Sequence, residues 1–383
     1  MRTGTVVIIG GGIGGLTAAI ALRRRGVDAQ VYEAAPQLEA VGAGIMVPAN
    51  AMQVLDRLEV GEDVRARGMA IHRGDLCDAR AGLLQRMDQA HAERRYGSGI
   101  TGIHRARLQE VLASRIPAHA LHLGRRFASL RQDESGVTVS FQDGAQVRAG
   151  LVVGADGVHS GVRSHVRPEA ELRYSGQTSY RAVVALDLGG QPANTAVEVW
   201  GAGFRFGYAP VAPGEVYWYA TRDAAPGVRD APGQAKEELR SLAAGFPAPI
   251  PALVEAAEPH QLIRTDMFDL PGLRGWHRGR VVLLGDAAHA TTPNLGQGGA
   301  QAIEDAWVLA EQLAATDDVP AALRAYESMR AGKAHRVINT SWRIGRLAHV
   351  RNPLGRALRN WLVRCAPART SRRQLDWMYA LDY

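Results

Sequence analysis

Cysteine and lysine are scarce in this sequence. Only Cys77 and Cys365 are cysteine, and of the 45 basic residues only Lys236 and Lys333 are lysine. Two cysteines are too few for a disulfide framework, and neither lies in a C-x-x-C pair or a metal-spaced cluster. The sequence therefore predicts no metal site and is typical of a protein from the reducing cytoplasm.

Long hydrophobic runs are missing as well. An apolar segment extends from Arg2 to Leu22, but six glycines interrupt it and no small-x-small cleavage site precedes Arg23. Its apolar residues also fall short of the ~20 that a membrane-spanning helix needs. We therefore expect neither a secretory signal nor a membrane span.

Acidic residues are outnumbered by basic ones, 38 against 45, which leaves a net charge of +7. A basic surface attracts nucleic acid, acidic lipid or small anions. Because no helix-turn-helix, zinc-finger or RNA-recognition signature accompanies the charge, we expect small anionic ligands and no nucleic acid. Such ligands include a nicotinamide dinucleotide and an aromatic acid.

The C-terminal part of the chain, from residue 321 onward, has a helical pattern rich in Arg and contains Trp342, Trp361 and Trp377. A basic amphipathic helix with aromatic residues can lie on a membrane surface. It can also pack on its own domain, which is the commoner arrangement. We expect the second arrangement and therefore no membrane contact.

The most informative stretch lies at the N-terminus. Residues 6–9 are consecutive β-branched aliphatics typical of a strand buried on both faces, and Gly10, Gly12 and Gly15 follow in a G-x-G-x-x-G pattern. A helix comes next, and then a second strand that ends on Glu33. This order of strand, turn, helix, strand and acid predicts dinucleotide binding.

Each part of this unit has a physical role. Gly10 permits the tight turn, Gly12 lets the backbone approach a pyrophosphate, and Gly15 lets helix and strand pack closely. The helix directs its free N–H groups at the phosphates. Glu33 would accept hydrogen bonds from the ribose hydroxyls and repel a 2′-phosphate, so we expect FAD or NAD rather than NADP.

Several shorter segments give local predictions. Residues 41–48 are loop-like, Asn50 is expected to cap a helix, and another helix is expected to begin at His104. Residues 127–132 and 137–141 alternate between apolar and polar and predict a hairpin.

Two further motifs follow buried strands. The first is G-A-D-G-x-x-S-x-x-R at residues 154–163, which contains Asp156. The second is Gly285-Asp286, followed by the glycine-rich loop at 293–299 and a helix. A glycine-rich loop that opens a helix again presents backbone donors to an electron-rich ligand.

The middle of the chain has a different pattern. Strand-like runs at 179–186, 196–200, 204–209 and 216–221 are separated by Gly and Pro turns, which indicates a mostly antiparallel sheet. We predict an α/β protein in which this sheet is a substrate domain inserted into a Rossmann-like domain, with helices at the C-terminus. The predicted parts are 1–70, 97–173 and 267–330 (nucleotide), 71–96 and 174–266 (substrate), and 331–383 (C-terminal helices).

The three motifs together resemble the group A flavoprotein monooxygenases of the para-hydroxybenzoate hydroxylase type, over about residues 5–330. The segments 200–207 and 216–219 look most like the urate hydroxylase, salicylate hydroxylase-like and zeaxanthin epoxidase-like branches. The resemblance implies that the Rossmann-like domain binds FAD, tightly but non-covalently. It implies these cofactor-binding residues: Gly10, Gly12, Ile13, Gly14, Gly15, Glu33, Gly44, Ile45, Arg105, Gln109, Asp156, Asp286, Pro293, Gly296, Gly298 and Gly299.

The same resemblance implies a reaction. NADH or NADPH would bind transiently and reduce FAD, and O2 would form a C4a-hydroperoxyflavin that hydroxylates a small aromatic or heteroaromatic substrate. We expect Arg205 to pair with an anionic substrate oxygen, Tyr217 to orient that oxygen, and Pro293 with the 42–45 loop to form the wall beside the flavin. Alternatively, Tyr217 is one of several aromatics in the core of the sheet. The residues do not identify a catalytic base.

Other functions remain open. Because the chain has no second G-x-G-x-x-G, a two-dinucleotide disulfide reductase is disfavoured, and because neither lysine is suitably placed, so is a flavin halogenase. A FAD-dependent reductase of an isoprenoid-like double bond and a non-enzymatic flavin-binding module remain as alternatives. We expect a monomer or a homodimer.

Overall fold

The computed structural model describes residues 4–38, 43–80, 82–189, 194–231, 233–367 and 375–383. Its strands, in chain order, are β1 Val6–Ile9, β2 Ala29–Tyr32, β3 Gly44–Val47, β4 Met69–Ile71, β5 Arg73–Asp78, β6 Leu83–Asp88, β7 Ile100–His104, β8 Leu121–His122, β9 Phe127–Asp133, β10 Gly136–Phe141, β11 Gln146–Ala149, β12 Leu151–Gly154, β13 Arg173–Ala185, β14 Thr195–Trp200, β15 Phe204–Ala212, β16 Glu215–Asp223, β17 Ile263–Asp269, β18 His277–Arg278 and β19 Val281–Leu283.

The helices separate and flank these strands. They are α1 Ile13–Arg23, α2 Ala49–Arg57, α3 Gly61–Ala66, α4 Ala90–Tyr96, α5 Arg105–Ala113, α6 Gly161–Val166, α7 Gln234–Ala243, α8 Ile250–Ala256, α9 Asp286–His289, α10 Gly298–Ala315, α11 Val319–Ala348 and α12 Pro353–Cys365. Residues 375–379 form a further short helical segment. No helix in the described ranges combines the length and the apolar character that a membrane crossing requires.

The part of the molecule that contains the N-terminal glycine loop is built on a six-stranded sheet with the order β18-β19-β12-β1-β2-β8. The pairs β12–β19, β1–β12, β1–β2 and β2–β8 are all parallel. Every residue of β1 and β12 is buried, as expected for strands covered on both faces. The Rossmann-like prediction is therefore confirmed, and the carboxyl ends of β1, β12 and β19 meet at one edge.

A seven-stranded sheet forms the second half, in the order β17-β13-β16-β15-β14-β5-β6. It is antiparallel except where β14 pairs with β5. The prediction of a mostly antiparallel second sheet is confirmed, as is the predicted hairpin, which is the β9–β10 pair. The sheet also includes β5 and β6, from the earlier segment of the chain.

Two local predictions were wrong. Residues 44–47 are not a loop but strand β3, antiparallel to β7, and residues 41 and 42 lie outside the described ranges. Asn50 is not a cap, because α2 begins at Ala49 with Pro48 before it. The Asn50 side chain is instead fully buried, and its amide donates to Glu304 Oε1 at 2.5 Å and to Gln297 Oε1 at 3.0 Å.

A buried charged cluster fixes α10 against α11. Arg330 donates to Glu304 Oε2 at 2.5 Å, to Asp305 Oδ1 at 2.8 Å and to Gln301 Oε1 at 2.7 Å, and all four side chains are fully buried. Burial alone would raise the pKa of Asp305, but His289 and Arg330 lower it to about 2. The Asp305 side chain is therefore held in its charged form.

Removing the cation of this cluster is expected to destabilise the protein. Arg330→Met leaves two buried carboxylates without their shared partner, which costs about 3–5 kcal/mol of unfolding free energy. Chemical denaturation of the FAD-loaded protein measures this change. Arg324 is exposed on the same helix, so Arg324→Met should alter stability by less than about 0.5 kcal/mol. Equal effects of the two substitutions on unfolding free energy would show that the Arg330 cluster has no special role in stability.

Candidate active site

The first glycine loop is pressed against the second motif. Gly10 has a φ of +111°, and a Cβ built there would lie 2.3 Å from the carbonyl oxygen of Ala155. A Cβ at Gly15 would lie 2.0 Å from the carbonyl oxygen of Gly10. Both positions therefore exclude a larger residue, for the reasons that the sequence predicts.

In contrast, Gly12 faces open space. It precedes α1, and a Cβ there would meet no atom within 4 Å. The end of β2 lies beside the loop, because Glu33 accepts hydrogen bonds from the backbone N–H of Gly11 at 2.6 Å and of Ala35 at 2.8 Å. A carboxylate has about four acceptor sites, so Glu33 keeps capacity for hydroxyl donors.

Helix α5 reaches the same loop. The Gln109 side-chain amide donates to the carbonyl oxygen of Gly11 at 2.7 Å. Arg105, one turn earlier, is exposed, and its charge acts on Asp286. The Asp286 side chain is exposed, but the protein around it still raises the pKa of its carboxyl group by desolvation. The charges of His289 and Arg105 oppose this rise. Helix α5 therefore places Gln109 on the glycine loop and the charge of Arg105 near Asp286.

Asp156 has structural partners. Its carboxylate accepts a hydrogen bond from the hydroxyl of Ser160 and one from the backbone N–H of Val162 at 3.1 Å, so it supports the start of α6. Burial raises its pKa, and these hydrogen bonds oppose the rise. The predicted position of Asp156 beside FAD and the nicotinamide stays a prediction.

Arg163 connects the second and third motifs. Its side chain is buried and donates to the carbonyl oxygens of Val158 at 2.6 Å and of Ala287 at 3.3 Å. The Ala287 carbonyl belongs to α9, which begins at Asp286. The final arginine of the second motif thus holds the position of the third.

The start of α10 completes this edge. A Cβ at Gly299 would lie 3.2 Å from Ile45 Cδ1 and 4.0 Å from Ile13 Cδ1, and one at Gly298 would lie 3.7 Å from Asp286 Oδ1. A Cβ at Gly14, which lies in the first turn of α1, would be 2.8 Å from Leu284 Cδ2 at the end of β19. Segments far apart in sequence therefore converge here.

Strand alternation decides which side chains of the second sheet face this edge. Trp218 is fully buried and stacks on Phe206, with 5.1 Å between ring centroids, in the core of the sheet. Tyr217 points the opposite way. A Cβ at Gly44 would lie only 2.3 Å from Tyr217 Cβ, so Tyr217 packs on the backbone of β3. Tyr217 is therefore not a core aromatic, and burial raises the pKa of its phenol.

Arg205 shares the face of Tyr217, on the neighbouring strand as predicted. It is 1% exposed, and its Nε donates to Thr221 Oγ1 at 3.0 Å. One terminal nitrogen donates to Glu198 Oε1 at 3.3 Å, and the other donates to Asn294 Oδ1. Because three N–H groups are engaged with protein, at most two of its five remain for a ligand.

The contact with Asn294 brings the third motif to this sheet. Asn294 is the central residue of the 3-10 turn Pro293–Leu295, after which Gly296 adopts a φ of +62°. Pro293 is exposed at the start of this turn. The guanidinium of Arg205 thus spans from the seven-stranded sheet to the loop that precedes α10.

Two acid–base residues of this face were missed in the sequence. The hydroxyl of Tyr219 donates to Glu198 Oε2, and burial, followed by the charge of Glu198, raises the pKa of Tyr219 well above 10. A Cβ at Gly207 would lie 2.4 Å from the Tyr219 ring, so this glycine leaves room for the phenol. Glu198 is the only acid in the apolar run 195–200, and that isolated charge was the available signal.

Together these residues fit a flavin dinucleotide. An open glycine precedes α1, a carboxylate ends β2, and the N-terminus of an 18-residue helix meets Asp286 across the cleft. Helix N-termini and free backbone N–H groups bind phosphates and other anionic groups. The polar face with Arg205, Glu198 and Tyr219 lies opposite, where a substrate would be held.

Comparisons with known proteins agree with this geometry. The model of the FAD binding domain family matches residues 3–341. The aurachin C monooxygenase/isomerase of Stigmatella aurantiaca is 42% identical over 365 residues, 95% of each chain. The 2-heptyl-3-hydroxy-4(1H)-quinolone synthase of Pseudomonas aeruginosa is 34% identical over 378 residues, 96% of each chain.

A solved structure extends the comparison to three dimensions. HpxO of Klebsiella pneumoniae, in complex with FAD and uric acid, has a TM-score of 0.91 and 29% identity, and the match covers 98% of this chain and 96% of that one. The predicted flavoprotein fold and monooxygenase class are thereby confirmed. The chain belongs to the FAD binding domain family and, within it, to the group A FAD-dependent aromatic monooxygenases.

Proposed function

We propose that the chain uses NADH or NADPH to hydroxylate a small heteroaromatic ring of the quinolone or purine type. The relatives are named for a quinolone in one case and crystallised with uric acid in another, which supports this class. The observation that carries the proposal is the cluster of Arg205, Glu198 and Tyr219 beside Tyr217. Such a cluster suits a ring that bears both a hydrogen-bond acceptor and an ionisable proton.

In this proposal the first half of the molecule holds FAD tightly and without a covalent bond. The N–H groups at the start of α1 bind the pyrophosphate past Gly12, and Glu33 accepts hydrogen bonds from the ribose. Gln109 fixes the glycine loop through Gly11, and Asp286 binds the ribityl chain. When bound, FAD supplies the hydride acceptance and oxygen activation that the side chains lack.

The second half holds the substrate. Tyr217, whose raised pKa keeps it a neutral phenol at neutral pH, donates a hydrogen bond to a ring oxygen. Tyr219 also remains a phenol, so in the Tyr219–Glu198 pair the proton-accepting oxygens belong to Glu198. Arg205 keeps that carboxylate in place. Glu198 therefore takes the ring proton and leaves the substrate electron-rich.

Gly12→Ala is expected to separate folding from FAD binding. The added Cβ meets no protein atom, so the apoprotein should fold with an unchanged thermal midpoint, whereas the methyl group blocks the pyrophosphate. We expect FAD affinity to fall by at least about tenfold in fluorescence titration. Gly332→Ala, which also meets no atom within 4 Å, is the control and should bind FAD normally. Normal FAD affinity in Gly12→Ala would show that this loop does not bind the phosphates.

Glu198→Gln tests the proton acceptor. The amide keeps the size of the side chain but cannot take a proton, so kcat should fall by about a hundredfold while FAD content stays unchanged. Tyr174→Phe is the control, because that hydroxyl bonds only the carbonyl of Ala224, at 2.7 Å, away from Glu198. An unchanged kcat in Glu198→Gln would overturn the role.

The overall function is tested with the FAD-loaded protein and a panel of quinolones, purines and phenols. We expect one class to stimulate NADH or NADPH oxidation with consumption of O2, and the product to gain one oxygen atom by mass. Equal turnover without O2 would instead indicate a double-bond reductase. If neither nucleotide were oxidised with any compound, the protein would be a flavin-binding module.

A further inference from the structure

Helix α12 has the opposite orientation to an ordinary surface helix, because its apolar side chains face solvent. Leu354, Leu358, Trp361 and Leu362, which recur at helical spacing, are 82%, 58%, 60% and 53% exposed. These four side chains form the α12 apolar face. A surface helix normally turns such a face toward its own core. Helix α12 packs on its own domain, as expected, but not through this face.

The opposite, polar face of α12 is the one that packs on the protein. Arg359 is 3% exposed, donates to the carbonyl oxygen of Ala348 at 2.9 Å, and stacks over Trp200 at 5.1 Å from the ring centroid. Arg364 donates to Asp78 Oδ2 at 2.9 Å. Because these contacts fix the rotation of the helix about its axis, the apolar face points toward solvent.

The charged residues of the segment that contains α12 are of one sign. No Asp or Glu occurs between Glu327 and Asp376, a stretch that contains twelve Arg and Lys. Arg343, Arg346 and the exposed Leu347 share one face of the last turns of α11. Among the described residues no carboxylate pairs with either of these arginines. This part of the chain therefore combines an apolar helix face with an excess of cations, which is the composition of helices that lie in anionic membrane interfaces.

We propose that α12 is a peripheral membrane-binding element, which inserts its apolar face into the interface of an anionic lipid bilayer while Arg343 and Arg346 contact the headgroups. A second copy of this chain is the other occupant such a face could take. It would bring two copies of this arginine-rich segment together, and like charges at an interface are unfavourable. Charge complementarity therefore favours the bilayer.

The end of α11, which leads into α12, contacts the face of the second sheet that carries Arg205. His349, at the end of α11, shares a hydrogen bond of 2.9 Å with Thr221 Oγ1, the same hydroxyl that accepts from Arg205. Gly345 lies against the side chain of Asn294. The membrane-binding element thus begins next to the residues that hold the substrate-side face in place.

The test uses the full-length, FAD-loaded protein in flotation assays with vesicles of phosphatidylcholine alone or mixed with phosphatidylglycerol. We expect at least about tenfold tighter binding to the anionic vesicles, weakened by salt. The double variant Leu358→Ser/Trp361→Ser should lower this affinity by at least about tenfold. Arg343→Glu/Arg346→Glu should abolish the preference for phosphatidylglycerol.

Matched controls distinguish binding through this surface from non-specific adsorption to the vesicles. Val228 is 47% exposed on another part of the molecule, and Arg131 is exposed on β9, so Val228→Ser and Arg131→Glu should change vesicle affinity by less than about twofold. FAD content and the thermal midpoint verify that each variant is folded. Sedimentation velocity measures the oligomeric state without lipid.

Two results would overturn the proposal. One is equal binding of the wild type and the Leu358→Ser/Trp361→Ser variant to anionic vesicles. The other is a dimer in solution that this variant converts to a monomer, with no vesicle binding, since the face would then be covered by a second copy. Neither readout depends on catalysis, so failure here is distinct from failure of the proposed reaction.

Discussion

The close backbone approach at the ends of β1 and β12 is the constraint on which the rest of the site depends. The carbonyl oxygens of Ala155 and Gly10 occupy the space that a Cβ at Gly10 or Gly15 would need. Because these strands are buried on both faces, the backbone cannot move away to admit a larger residue. The start of α1 is thereby fixed against the second motif, with Gly12 left open toward the ligand.

Two side-chain contacts then couple this rigid edge to the second sheet. Tyr217 packs on the backbone of Gly44, and Arg205 reaches Asn294 in the turn before α10. Each contact joins a residue that would touch substrate to a segment that would touch flavin. A monooxygenase needs this coupling, because oxygen transfer requires the two reactants at a fixed separation with water excluded.

The buried cluster around Arg330 also fixes the geometry of the site, because it holds α10 in position. Its carboxylates lie on α10, its cation lies on α11, and Asn50 joins it from α2. A buried charge pair adds little net stability over an apolar substitute, but it tolerates only one arrangement of its partners. The direction in which α10 presents its N-terminus to the cleft follows from that requirement.

The sequence by itself determined the parts whose signal is local. The glycine spacing with Glu33, the three buried strands and a helix beginning at or next to His104 follow from short-range sterics and periodicity, and the structure has them, with α5 starting at Arg105. The resemblance to flavoprotein monooxygenases rested on the same short motifs. Tertiary structure alone decided the rest, because it depends on pairing between distant segments. Glu198 and Tyr219 come into contact only when β14, β15 and β16 pair. Asn50 on α2 reaches Glu304 only because α2 packs on α10. The leucines of α12 face solvent because Arg359, on the opposite face of the helix, binds the protein.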